Sequence, residues 1–169
     1  LLILLVGSTS VAKAEAEETV LWGGFQSVNW TRVETSDHPS SAAVTGVIGA
    51  RYGVDDFWEI AAQLGGGANV TESNRGAPFG LASLEARYII DALTWVPWVS
   101  GGVGAILRGE ENDSLARTDM TAHMGAGADY RPERAWGLSF SARLHSPLTD
   151  AERSYGPLEL TLAYAWYLE

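Results

Sequence analysis

The chain has 169 residues, room for one closed barrel, sandwich or small α/β unit and too few for two ordinary domains. Hydrophobic residues make up 46% and charged residues only 19%, with 19 Gly and seven Trp, a composition that argues against disorder and against an idealised helical bundle. A net charge of -10 with no Lys/Arg-rich patch excludes nucleic acid as a partner, and the absence of Cys excludes disulfides, thiol chemistry and Cys-ligated zinc.

Residues 1–16 read as part of an export signal. Leu1 to Val11 is apolar over the length of a signal-peptide core, and Ala12-Lys13-Ala14 and Ala14-Glu15-Ala16 follow it as overlapping small-x-small cleavage patterns. The fold is expected over residues 17–169. No later run approaches the ~18 apolar residues of a membrane helix, so any entry into a bilayer would be made by strands.

Beyond the signal, the chain alternates with period two. A less regular first segment runs from about Trp22 to Trp30; Gln26 interrupts its apolar row, which predicts a bulge or register change. From residue 42 the apolar rows are unbroken. The first is Ala42, Val44, Gly46, Ile48, Ala50 and Tyr52, and the second runs from Trp58 to Ala68. Others run from Gly80 to Ile90, Trp95 to Leu107, Met120 to Tyr130, Trp136 to Leu144 and Leu158 to Leu168. The opposite rows hold Thr45, Arg51, Glu59, Gln63, Ser83, Glu85, Arg87, Arg108, His123, Asp129, Arg143, His145 and Glu159 among many Gly and Ala. The reading is all-β: an eight-stranded antiparallel up-and-down barrel with strands long enough to cross a bilayer at a tilt.

A soluble lipocalin-like ligand-binding barrel turns its apolar row inward, whereas an outer-membrane barrel turns it to lipid. Three features favour the membrane. The polar rows are crowded with small residues that suit a narrow lumen. The aromatics Trp22, Tyr52, Trp58, Tyr88, Trp95, Tyr130, Trp136 and Trp166 gather at one end of the strands, as a headgroup-level ring would. Connections at that end are short (Gly53 to Asp56, Asp91 to Thr94, Arg131 to Ala135). Those at the other end are long and polar (Thr31 to Ser41, Asn69 to Ala77, Gly109 to Thr118, Ser146 to Pro157).

On these residues the chain resembles the small eight-stranded outer-membrane proteins of the A and X type and porin-like barrel domains. The resemblance implies a bacterial outer-membrane location, contact with outer-membrane lipid and lipopolysaccharide, and insertion by the barrel assembly machinery. Family barrels usually end in an aromatic residue read by that machinery; here Trp166 and Leu168 are followed by Glu169, which departs from the usual signal.

Few constellations carry chemistry. Pairing Tyr52 with Trp58 across the Gly53–Asp56 turn would set Arg51 opposite Glu59 in the lumen; Glu85, Arg87, Asp129 and Arg131 form a similar band, with Arg143, His145 and Glu159 nearer the outer half. The band reads either as a narrow polar pore or gate for small solutes, or as a plug of paired buried charges. Eight strands leave an interior just filled by side chains, which favours the plug. His123 and His145 lack a third ligand at metal spacing, so neither metal nor cofactor is expected. A lipid A-modifying hydrolase would need His and Ser on one face, whereas His145, Ser146 and Pro147 are consecutive; no catalytic residue is assigned. The expected function is therefore a non-enzymatic structural role in the envelope, with four outer loops exposed for adhesion or an extracellular partner. Those loops carry Glu34, Asp37, Glu72, Glu110, Glu111, Asp113, Asp150 and Glu152.

Overall fold

The computed structural model describes residues 17–30, 41–70, 76–90, 94–110, 113–148 and 156–168, the side chains of 41, 110 and 113–117 excepted. It contains eight strands: β1 (Thr19–Trp30), β2 (Ser41–Gly53), β3 (Trp58–Asn69), β4 (Pro78–Ile89), β5 (Trp95–Glu110), β6 (Asp113–Tyr130), β7 (Trp136–Pro147) and β8 (Leu158–Leu168). Each pairs antiparallel with its chain neighbours, and β1 also pairs with β8, which closes the barrel. Closure leaves no free edge within the paired region, as a bilayer requires of strands. The expected export segment over residues 1–16 and the acidic residues Glu34, Asp37, Glu72, Glu111, Asp150 and Glu152 lie outside the described residues.

The two-residue period sets inside and outside along every strand. Ile48, Leu64, Leu84, Met124 and Leu162 are exposed on the outer wall, while Gln63, Glu85, His123 and Glu159 are buried within. A polar interior inside an exposed apolar wall is the inverse of a soluble barrel; the apolar wall is the lipid-facing surface of a transmembrane barrel.

Three expectations change. First, β1 has no bulge: it pairs continuously with β2 from Thr19↔Tyr52 to Trp30↔Ser41, and with β8 from Thr19↔Leu168 to Asn29↔Leu158. Its inward row is Trp22, Gly24, Gln26, Val28 and Trp30, and the outward row includes Leu21 and Phe25. Trp22 is thus buried in the lumen and does not belong to the interface ring. Second, the β2–β3 register is Tyr52↔Ile60, so Arg51 faces Ala61 and Glu59 faces Gly53. The turn is centred further along the chain than expected: the Val54 amide donates to the Trp58 carbonyl at 2.8 Å, and the Asp55 carboxylate accepts from the amides of Phe57 and Trp58, both at 2.8 Å. Because the slip is two residues, every side chain keeps its face. Third, β5 and β6 do not stop at Leu107 and Asp119. Backbone pairing continues to Glu110↔Asp113 past an irregularity between Arg108 and Glu110, because the ladder needs only backbone partners once the strands leave the apolar band.

The remaining aromatics, Tyr52, Trp58, Tyr88, Trp95, Tyr130, Trp136 and Trp166, lie on the outer row at the end of the short turns. They meet in cross-strand pairs. Trp58 packs edge-on to Tyr88 with centroids 5.2 Å apart, Trp95 meets Tyr130 at 4.9 Å, and Trp136 stacks on Tyr164 at 5.6 Å.

The lumen as candidate functional site

Every cation after Lys13 in this chain is an arginine, and those facing the lumen use the planar guanidinium to hold several partners at once. Toward the short turns, Arg51 of β2 reaches across the barrel to β6, its Nη1 2.6 Å from Asp129 Oδ2. Arg51 Nη2 also donates to the Tyr167 hydroxyl at 2.9 Å, and its Nε lies 3.5 Å from Glu59 Oε2. The Arg51–Glu59 pair expected from the turn therefore exists as a diagonal contact, secondary to Asp129. Asp129 also accepts from Trp98 Nε1 at 3.3 Å, and Arg87 lies over the Trp98 ring at 3.9 Å. Below this layer, Arg131 pairs with Glu18 at 2.9 Å and stacks on Tyr167 at 3.6 Å. Glu18 lies just ahead of β1. Burial raises its carboxyl above the ordinary value, against the pull of Arg131.

Glu85 organises the next layer. Arg87, two residues along the same inward row, donates Nε to Glu85 Oε1 at 2.8 Å. From β7, three strands away round the wall, Arg143 forks onto both oxygens of Glu85 at 2.8 and 2.7 Å and reaches Glu159 Oε1 at 2.6 Å. His123 Nε2 lies 3.3 Å from Glu85 Oε2, and His145 Nε2 2.9 Å from Glu159 Oε2. Gln63 of β3 crosses to Glu159 at 3.3 and 3.4 Å, and Thr161 donates to it at 3.1 Å. Arg87, Arg143, His145 and Glu159 are each at most 2% exposed.

All nine charged or titratable lumen residues expected from the sequence thus lie inside the barrel. Eight join one band of contacts running between the walls; Arg131 sits at its inner end with Glu18. Trp98, Tyr167, Gln63 and Glu18 are additions to the expected network. Trp98 and Tyr167 are visible in hindsight as bulky aromatics on the polar rows. The small residues opposite them make the room: a Cβ on Gly127 would fall 2.4 Å from the Trp98 ring, and one on Gly137 3.2 Å from the Tyr167 hydroxyl.

His145 and Ser146 lie on opposite faces, His145 buried and Ser146 exposed. The hydroxyl that meets the imidazole is that of Thr121, 3.4 Å from His145 Nδ1. Among the described residues, no group of three or more His, Asp or Glu side chains is placed to hold a metal ion.

No protein-family model matches the sequence, and no curated protein matches it either. Solved structures do share the fold. The N-terminal β-barrel domain of Pseudomonas aeruginosa OprF superposes with a TM-score of 0.67 at 19% identity, covering 91% of this chain and 100% of that one. OprG of Pseudomonas aeruginosa gives 0.67 at 10% identity, covering 94% and 99%. Ail, the attachment invasion locus protein of Yersinia pestis, gives 0.58 at 12%, covering 90% and 99%. With its apolar wall outward and its charges enclosed, the chain has the fold of the small eight-stranded β-barrels of the bacterial outer membrane.

Proposed function

We propose that this protein is a non-enzymatic structural barrel of the outer membrane whose lumen is a plug and whose specific activity resides in its outer connections. The observation that carries this reading is the set of ion pairs spanning the lumen, Arg51–Asp129 and Arg143 with Glu85 and Glu159, all deeply buried. A filled eight-stranded interior has no path for hydrated ions, which leaves the surface as the place where specificity can reside. The outer wall sits in outer-membrane lipid and lipopolysaccharide.

The Thr121, His145 and Glu159 sequence of contacts has the order of a nucleophile, base and acid, yet its burial supports a structural role. Thr121 is 2% exposed, and Glu159 is already committed to Arg143, Gln63 and Thr161.

For the outer connections, acidic residues outnumber the single arginine in three of the four long loops (those with Arg32, Arg117 and Arg153) and equal it in the fourth, where Glu72 stands with Arg75. Ail has been solved with the heparin analogue sucrose octasulfate. The charge of this chain's loops favours the opposite class, a cationic partner or lipopolysaccharide phosphates bridged by divalent cations. The test combines two measurements. Planar-bilayer recordings of the wild type should show no steady conductance, and large stable channels would overturn the plug. Replacing Glu111-Asn112 and the flanking acids Glu110 and Asp113 with Ser should abolish adhesion of cells displaying the barrel to cationic surfaces while leaving the heat-dependent gel shift intact. Unchanged adhesion would remove the loop from the proposal.

A further inference from the structure

We propose that Trp30 is a crossbar that seals the outer mouth of the lumen independently of the ion pairs beneath it. This extends the reading of the lumen as filled and rests on it. Trp30 is the last residue of β1. Its ring meets Phe79 of β4 edge-on, with centroids 5.3 Å apart, and the guanidinium of Arg108 on β5 lies 5.8 Å from its centroid. In a closed ring of eight strands β1 stands opposite β5 and three strands from β4, so both contacts can form only across the lumen.

The surroundings complete a dry layer. Val28, Trp30, Ala43, Phe79, Leu81 and Ile106 form one buried apolar cluster, drawn from β1, β2, β4 and β5 and set on the inward rows. Arg108 is paired with Asp119, which neutralises the charge at the rim and holds the guanidinium toward the ring. Apolar constrictions exclude water, and hydrated ions with it, by a different principle from paired charges. Charged groups attract water when their partners move apart; an apolar layer does not. The lumen therefore has two closures in series, one apolar at the outer mouth and one ionic below.

The test uses the absence of Cys from the chain. Ser83 is buried on the inward row of β4, between Leu81 of the apolar layer and Glu85 of the ionic one. Ser83→Cys therefore reports access to the space between the two closures. In the refolded full chain in detergent micelles, the thiol should react slowly with a water-soluble maleimide. Adding Trp30→Ser with Phe79→Ser should speed the reaction by an order of magnitude or more. Adding Arg51→Gln, which opens the Arg51–Asp129 contact deep in the lumen and leaves the apolar layer intact, should leave it slow. Each variant is first checked for the heat-dependent gel shift of a closed barrel. Should the double replacement fail to show it, Phe79→Ser alone carries the same prediction, since Trp30 then has no ring to meet. A slow thiol in the crossbar variants, or an Arg51→Gln variant as fast as they are, overturns the crossbar. A thiol that already reacts quickly in Ser83→Cys alone overturns the filled lumen itself.

Discussion

Arg51 and Asp129 sit on opposite walls of the barrel, on β2 and β6, and meet at 2.6 Å in its interior. Neither could face the lumen alone without a large desolvation cost, so each position is a condition on the other. Asp129→Asn should destabilise the refolded barrel by about 3–5 kcal/mol, because Arg51 remains buried with only Glu59 and Tyr167 as partners. The double replacement Arg51→Met with Asp129→Leu should recover most of that loss. Urea titrations read by the heat-dependent gel shift would check both. A double variant as unstable as the single one would show that the pair is not the coupled unit.

Inside and outside can be tested at neighbouring positions. Leu84 is 53% exposed on the outer wall and Ser83 is buried in the lumen. Leu84→Arg should cost about 2–4 kcal/mol of insertion stability by placing a charge in the apolar band. Ser83→Arg should also be costly, for a different reason: its nearest carboxylate, Glu85, is already held by Arg87, Arg143 and His123. The two are separated by adding Glu residues. Thr121→Glu, on the inward row facing that part of the lumen, should partly rescue Ser83→Arg and leave Leu84→Arg unchanged. Refolding yields into lipid vesicles provide the measurement.

Glu18 gives a pH dependence whose sign is fixed by its environment. Its folded carboxyl titrates above the ordinary value because burial outweighs the attraction of Arg131. A raised folded value means that the folded barrel binds this proton more tightly than the unfolded chain does. The contribution is fully present below the ordinary carboxylate range and is lost as pH rises through the raised value. Stability against urea should accordingly fall across that window in the wild type, and Glu18→Gln should flatten this part of the profile. An identical slope in the two proteins would place the pH dependence elsewhere.

Much of this was legible in the sequence because seven of the eight strands keep a strict two-residue period, and lipid on one side with packed charge on the other leaves few exceptions. β1 broke the pattern for a physical reason. Its inward row must supply Trp22 to the inner lumen and Val28 and Trp30 to the apolar outer layer, so hydrophobicity no longer distinguishes its faces. The Arg51–Asp129 contact was hidden differently: periodicity says that both residues point inward, but partners across a lumen depend on barrel closure and stagger, which adjacent-strand pairing does not contain. Arg143 with Glu159 was easier, since the two are directly paired on β7 and β8.

The glycines offer a prediction with opposite signs for one substitution. Gly127 of β6 faces the lumen, where a Cβ would come within 2.4 Å of both the Trp98 ring and the Phe140 carbonyl oxygen. Gly66 of β3 faces outward, and a Cβ there would meet nothing within 4 Å. Gly127→Ala should therefore force Trp98 or the β6–β7 ladder to shift, at a cost of about 1–3 kcal/mol. Gly66→Ala should stabilise the barrel by about 0.5–1 kcal/mol, since alanine loses less conformational freedom on entering a strand and adds a methyl to the lipid face. Urea midpoints moving apart in these directions, with unchanged folded mobility for Gly66→Ala, would support the assignment of both faces. A loss of stability in Gly66→Ala comparable to that in Gly127→Ala would mean that the outer wall at β3 is packed against something other than lipid.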